Sequence, residues 1–297
     1  MRWRVSVEPR NKWRSLFAAL AAAVPAYCPA VHGTELPRKP IRIVSINMCT
    51  DELVLRLADV NHIASVSYLA RAPNSSVAEL AARVPINHGL AEEIVPLNPD
   101  LVVAGIYTAR TTVDLLKRVN APLLDLDVPR SLDEVREQYL AVGKALGEPE
   151  RAQRLVAEMD ARLAALPPVG GPPLPRALVF NSNGYTVGKQ SLTDDIISRA
   201  GMENLARALG INSFGRVALE TVVLNPVDVL IVSSWRDGPP AIATEIMNHP
   251  VLQKISDRTR IVVMPSKLVV CAGPENMDAI ALLQSAAAGA RAEAPRE

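Results

Sequence analysis

The chain has 297 residues, 49% of them hydrophobic and 4% aromatic, and its 32 Lys and Arg are offset by 31 Asp and Glu for a formal net charge of +1. That length and apolar content suffice for about two cores and exclude a disordered chain. The charges are interspersed and leave no basic footprint, so nucleic acid is excluded as a partner.

The N-terminus differs from the rest. Arg2, Arg4, Arg10, Lys12 and Arg14 precede an apolar run from Leu16 to Val24, and small residues continue to Ala30. This is the pattern of a cleavable secretory signal over residues 1–30. The apolar run is too short to span a bilayer, and no later segment reaches the needed length. Tyr27 precedes Cys28 where a lipoprotein signal places a small residue, so the expected product is a soluble exported protein cleaved near Ala30. Cys49 and Cys271 then remain, in an oxidising compartment. A disulfide between them and two separate, inert buried cysteines both fit that count.

From Ile41 onward strand-like and helix-like segments alternate. Ile41 to Ile46, Ile63 to Val66, Leu101 to Ala104 and Pro122 to Leu126 are short apolar, β-branched runs. Helical periodicity falls between them, after the N-cap residues Thr50 and Asp51, and at Ser76 to Ala82, Leu90 to Leu97 and Thr111 to Val119. Ser131 to Leu146 forms a further helix with Gly147 as its stop. This alternation predicts an α/β fold with a parallel sheet covered on both faces.

Glu148 to Leu166 reads as one isolated amphipathic helix. Ala152, Leu155, Val156, Met159, Leu163 and Leu166 form its apolar stripe, Pro149 suits its first turn, and the Pro- and Gly-rich run from Pro167 ends it. The pattern then restarts. Ala177 to Phe180 is strand-like, and Thr193, Asp194, Asp195, Ile196 and Ile197 echo Thr50, Asp51, Glu52, Leu53 and Val54. The segment EEIVPLNPDLVV (Glu92 to Val103) is echoed by LETVVLNPVDVLIV (Leu219 to Val232), with Glu92 eight residues before Asp100 and Glu220 eight before Asp228. Two copies are too few for a solenoid and predict two similar lobes, 31–147 and 167–297, joined by the helix 148–166.

On the segments IVSINMCTDEL, GLAEEIVPLNPDLVVAG, VALETVVLNPVDVLIVSS and VVMPSKLVVCAGPENMDAI, the chain resembles the periplasmic substrate-binding proteins of ABC importers for cobalamin, ferric siderophores and haem. The resemblance runs from Arg42 to near Ala287. It implies two parallel-sheet α/β lobes joined by one rigid helix, with the ligand in the cleft between them and little hinge motion. It also implies a monomer in the periplasm, no intrinsic cofactor, and an inner-membrane permease whose arginines meet one exposed glutamate on each lobe. By the eight-residue register these are Glu92 and Glu220, with Glu93 as the rival on the first lobe. If both cysteine loops face the cleft, as in the resemblance, a bond between Cys49 and Cys271 would tie the lobes together.

Ligands of open α/β sheets sit beyond the carboxyl ends of the strands. The residues just after the apolar runs are Asn47, Met48, Cys49, Tyr68, Arg71, Tyr107 and Arg110 in the first lobe, and Asn183, Tyr185, Trp235, Arg236, Lys267 and Cys271 in the second. Aromatic faces suit a macrocycle or catechol, and cations suit carboxylates or an anionic ferric chelate. The expected cargo is a metal chelate, a ferric siderophore or cobalamin, with haem as the alternative. Direct binding of a bare metal is rejected, since His32, His62, His88 and His249 are scattered and none pairs with another. Asp125 and Asp127 could act as acid and base, but no nucleophile, partner His or phosphate loop accompanies them, which leaves an exported enzyme or a ligand sensor as the different-class alternatives.

Overall fold

The structure is a computed structural model that describes residues 39–234 and 258–293. The expected signal segment, Trp235, Arg236, His32 and His249 lie outside the described residues.

The first lobe carries β1 (Ile43–Ser45), β2 (Ile63–Ser67), β3 (Ile86–Asn87), β4 (Leu101–Gly105) and β5 (Leu123–Leu126). They form a sheet in the order β3-β2-β1-β4-β5 with every pair parallel. Its helices are α1 (Met48–Leu57), α2 (Ala78–Ala81), α3 (Ala91–Ile94), α4 (Arg110–Arg118) and α5 (Leu132–Ala145). After α6 (Pro149–Ala164), the second lobe carries β6 (Arg176–Val179), β7 (Tyr185–Val187), β8 (Glu203–Asn204), β9 (Phe214–Arg216), β10 (Val229–Ser234) and β11 (Arg260–Pro265). Here β11-β10-β6-β8 form a parallel sheet, and β7 pairs with β9 in a separate antiparallel ribbon. Its helices are α7 (Leu192–Arg199), α8 (Leu205–Ala208), α9 (Leu219–Leu224) and α10 (Asn276–Glu293). The fold is α/β, with two parallel sheets flanked by helices. The two-residue strands β3 and β8 and the β7–β9 ribbon are too short to leave a periodic signal in the sequence. The expected helix Leu90 to Leu97 splits into α3 and a 3-10 turn, Val95–Leu97, at Pro96. Among the described residues no helix is long and apolar enough to cross a membrane.

Successive strand residues face opposite layers. Ile43 and Val103 join one apolar cluster while Val44, Val102 and Ala104 join another; Ala177, Val179, Val229 and Ile231 join the first while Leu178, Phe180, Leu230 and Val232 join a third. The strands are therefore buried on both faces, which is why they read as unbroken apolar runs rather than as alternation. The first cluster is shared by both lobes. It runs from β1 and β4 through α1, α5 and α6 to β6, β10 and α10.

The two lobes also repeat their polar anchors. The Asp100 carboxylate accepts from the amides of Ile41 and Arg42 at 2.9 Å each, and Asp228 accepts from the amide of Arg176 at 2.6 Å, so each aspartate fixes the start of its lobe's first strand. Buried Asn87 accepts from Gly89 N two residues on, as buried Asn204 does from Ala206 N. The duplication seen in the sequence is thus carried by the same hydrogen bonds in both lobes.

The sequence reading of α6 as an isolated helix needs correction. α6 packs on α5, and its arginines reach both lobes. Arg151 donates to the carbonyls of Leu57 and Ala58 at the end of α1 (3.2 and 2.7 Å), and Arg162 donates to Pro274 O (3.0 Å) and pairs with Asp278 (2.6 Å). The α5–α6 contact is close because Gly143 has no side chain: a Cβ there would lie 2.3 Å from the Cβ of Ala152. Gly143→Ala gains about 0.5–1 kcal/mol of helix propensity, whereas overpacking a tight contact costs about 1–3 kcal/mol. The clash wins, and the variant is expected to unfold at lower urea concentration than the wild type, with an unchanged slope.

Candidate functional site

The first turn of α1 opens the site. Asn47 is extended (φ −150°, ψ 142°) and its side chain caps α1 by accepting from Cys49 N at 2.9 Å. Thr50 Oγ1 donates to Asn47 O and lies 2.8 Å from Ser45 Oγ, so the turn is bound to the end of β1. Asp51 is fully buried and accepts from the amide and hydroxyl of Ser67. Burial pushes its carboxyl up to about 6 against the pull of those hydrogen bonds.

This turn forms one wall of a cavity of about 680 Å³ between the lobes. The first lobe contributes Asn47 to Leu53 in part, Gly105 to Tyr107 after β4, and residues from Leu126 to Gln138 after β5. The second contributes Val187 and residues 190–193 before and within α7, Ser213 and Phe214 of the β9 region, and Val269 to Ala272. The site thus lies where open α/β sheets hold ligands. Its wall combines aliphatic groups, the two aromatics Tyr107 and Phe214, and a set of amides and hydroxyls: Asn47, Gln138, Gln190, Ser191, Thr193 and Ser213. Arg130 is the one cation of the described wall and is already engaged. Its guanidinium pairs with Glu134 at 3.0 Å, and its amide donates to the same carboxylate at 2.7 Å. That contact lowers the Glu134 carboxyl below its usual range, through the Arg130 side chain first. Exposed Asp127 is the wall's other charged residue, so the described wall offers no unengaged cation.

Of the residues expected to hold a ligand, the cavity brings together Asn47 and Tyr107, with Cys49 and Cys271 beside them. The Cys49 and Cys271 sulfurs are bonded to each other, with 5.1 Å between the Cα atoms, so the bond crosses from the first turn of α1 to the second lobe. Met48 and the other described candidates are outside the wall. Tyr68 is exposed and stacks on His88, ring centroids 5.3 Å apart. Arg71 donates to the carbonyls of Ala81 and Val84, and so closes the end of α2 rather than offering a free cation. Arg110 is exposed at the start of α4, and Lys267 is exposed in the turn after β11. Tyr185 stacks on Phe214 (5.8 Å, 22°) without lining the cavity, and its hydroxyl is raised above the usual tyrosine range by burial, with Tyr107 adding to the shift. Glu92 and Glu220 are exposed in the first turns of α3 and α9, whereas Glu93 accepts from His88 N at 2.6 Å and lies 2.9 Å from His88 Nδ1.

The sequence reading missed residues 190–193, although a signal for them was present: Thr193 echoes Thr50, and the turn before Thr50 had been chosen in the first lobe. Phe214 and Arg130 carried no such signal, since the ribbon and the loop after β5 have no counterpart in the repeat. Among the described residues no group of three or more His, Cys, Asp or Glu side chains could hold a metal ion.

Residues 43–266 match the sequence model of the periplasmic binding protein family, and the chain belongs to that family. It is therefore a binding protein and not an enzyme. A cobalamin-binding protein of Halobacterium salinarum is 27% identical over 220 residues, which span 71% of this chain and 59% of that relative. A periplasmic haem-binding protein from Roseiflexus sp. RS-1 superposes with a TM-score of 0.64 at 25% identity, covering 83% of this chain and 98% of the other. The periplasmic vitamin B12-binding protein of Vibrio cholerae shares the fold, with a TM-score of 0.62 at 17% identity over 85% of this chain and 98% of its own.

Below the cavity a second polar group sits in the interlobe layer. Glu52 is buried with Oε1 lacking a hydrogen-bond partner, and the Tyr139 hydroxyl is likewise buried and unpartnered. Burial, with the charge of Glu275 adding, pushes the Glu52 carboxyl up to about 7, while Ser76 and Arg56 pull it down. An acid raised in the folded state stays protonated where the unfolded chain has already ionised. Between about pH 4.5 and about pH 7 the folded state therefore holds more protons, and Glu52 lowers stability as pH rises through that window. Glu52→Gln should remove this dependence: in urea unfolding, its stability advantage over the wild type should widen across the window and level off above it.

Proposed function

We propose that the protein captures a cobalamin-like corrinoid in the interlobe cavity, outside the cytoplasm, and delivers it to the permease of an ABC importer. The lack of an unengaged cation among the described wall residues carries this reading. A corrin ring is broad and apolar on its faces and is fringed by neutral amides, which match aromatic and aliphatic surface interspersed with Asn, Gln, Ser and Thr. The propionates of haem and the charge of an anionic ferric siderophore call for unengaged cations, and the only described cation in the wall is paired with Glu134. The cobalamin-binding relative from Halobacterium salinarum supports the same choice. Haem is the second reading, favoured by Tyr107, whose 68% exposed phenol at the cavity could ligate ferric iron, and by the likeness to the Roseiflexus protein.

In this reading residues 1–30 direct export and are removed near Ala30, the lobes span 31–147 and 167–297, and the helix 148–166 keeps them at a set spacing as a monomer. Asn47, Tyr107 and Phe214 hold the ligand, with Met48, Tyr68, Arg71, Arg110, Tyr185 and Lys267 outside the described wall; Trp235 and Arg236 belong to the ligand set expected from the sequence. Equilibrium titration tests the ligand: cyanocobalamin should bind saturably and haemin far more weakly, and the reverse order would replace the corrinoid by haem. Phe214→Ala should weaken cyanocobalamin binding about tenfold, the effect of losing about 1.4 kcal/mol of aromatic contact.

Glu92 and Glu220 are the proposed permease contacts. Both are exposed and have no side-chain partner among the described residues, while Glu93 is held by His88. Charges placed apart on two lobes set docking orientation and association rate. The double variant Glu92→Ala, Glu220→Ala should leave cyanocobalamin affinity unchanged and cut uptake in cells at least about tenfold through slower docking; unchanged uptake would sink the assignment.

A further inference from the structure

One face of α1 meets the second lobe at three successive levels, bonded at the first and the last and in close approach between them. Cys49, Glu52 and Arg56 are spaced i, i+3 and i+7, which puts them on one side of the helix. Opposite them runs the segment Cys271 to Glu275. At the top is the Cys49–Cys271 bond. In the middle Glu52 and Tyr139 converge on Gly273, where a Cβ would lie 2.8 Å from the Tyr139 hydroxyl, 3.4 Å from Glu275 Oε2 and 3.8 Å from Glu52 Oε2. At the bottom Arg56 pairs with Glu275 at 2.5 Å and also donates to Ser76. The segment is itself stiff. Buried Asn276 accepts from Gly273 N at 2.8 Å and donates to the carbonyls of Leu268 and Cys271.

The top level is part of the cavity wall. Asn47, Cys49 and Thr50 line it from one lobe and Val270, Cys271 and Ala272 from the other, so the distance between these two walls is set where the sulfurs are joined. Hinge motion about α6 would have to part all three levels. The ion pair at the bottom opens at modest cost and the middle level is only a close approach; the covalent level does not open.

We propose that this ladder is a latch in which the Cys49–Cys271 bond holds the cavity floor at a fixed width, making the two cysteines positioning residues for ligand retention. Closure then comes from the rim, where Tyr107 and Phe214 lie, and not from separation of the lobes at their base. The role in retention rests on the cavity being the ligand site; the mechanical role of the bond does not.

The test compares the oxidised protein with the same protein after dithiothreitol treatment, in which the reagent gives up two electrons and two protons and closes to its cyclic disulfide as the cysteines become thiols. The double variant Cys49→Ser, Cys271→Ser is a second, reagent-free form. Amide hydrogen exchange of the ligand-free protein should rise at least about tenfold over residues 47–57 and 268–277 on loss of the bond, with β4 and β10 unchanged, because a local opening is being released. Cyanocobalamin should then dissociate several-fold faster with its association rate little altered. Gly143→Ala, destabilised without touching the ladder, should leave dissociation unchanged. Identical exchange of both segments with and without the bond in the folded protein would overturn the latch, as would equal dissociation rates. If the oxidised protein bound neither cyanocobalamin nor haemin, the ligand reading would fail, and the exchange measurement would still decide the latch.

Discussion

The structure depends on one constraint: the inner faces of both sheets are covered by the same apolar layer. Ile43 and Val103 of the first sheet and Val179 and Ile231 of the second belong to one buried cluster with Leu53, Leu57, Tyr139, Met159 and Leu283 between them. Each such side chain contributes about 1.5–3 kcal/mol when taken from water, and neither lobe can expose its share without losing that. The lobes therefore cannot separate widely, and the opening at the strands' carboxyl ends is bounded by how α1, α5, α6, α7 and α10 pack. The arginines of α6, directed to α1 at one end and to the α10 approach at the other, work in the same direction.

The repeat explains how two such lobes arise from one pattern, and also where they diverge. Asp100 and Asp228 do the same task at the first strand of each sheet, and Asn87 and Asn204 make the same turn. The Asp51 and Asp194 pair kept burial but changed partners. Asp51 is held by Ser67 and no cation, and its carboxyl is raised; Asp194 is gripped by both arms of the Arg207 guanidinium at 2.7 Å. One fold position thus supports an acid raised by burial in one lobe and an ion pair in the other, since Asp51 meets Ser67 at the end of β2 whereas Asp194 meets Asn204 and the Arg207 guanidinium of α8.

The cavity is polar and offers no unengaged cation among its described residues. Its hydrogen-bonding groups are amides, hydroxyls and the Asp127 carboxylate, and its one described cation is consumed by a helix-capping contact in which Ser131 accepts from Glu134 N while Glu134 reaches back to Arg130. A wall of this kind discriminates against anions by shape and by amide pairing, because an unmatched negative charge would have to leave water without a counter-charge.

Much of this was legible along the chain. The strand and helix alternation, the eight-residue register of the duplicated segment, the stop and start signals of α6 and the approach of Asn47, Cys49 and Tyr107 to the strand ends all follow from local periodicity and from where parallel sheets hold ligands. What periodicity could not reveal is which groups meet across layers. Arg71 looked like a free cation and is spent on the carbonyls closing α2; Tyr185 looked like a wall and stacks on Phe214; Arg130 and Phe214 carried no signal, Gln138 lay within an expected helix, and all three line the cavity. These outcomes depend on contacts between segments far apart in sequence, set by the packing of α1 against the segment before α10 and of α7 beside α5. A side chain's own spacing reports which face it occupies, and only the assembled layers decide what stands opposite.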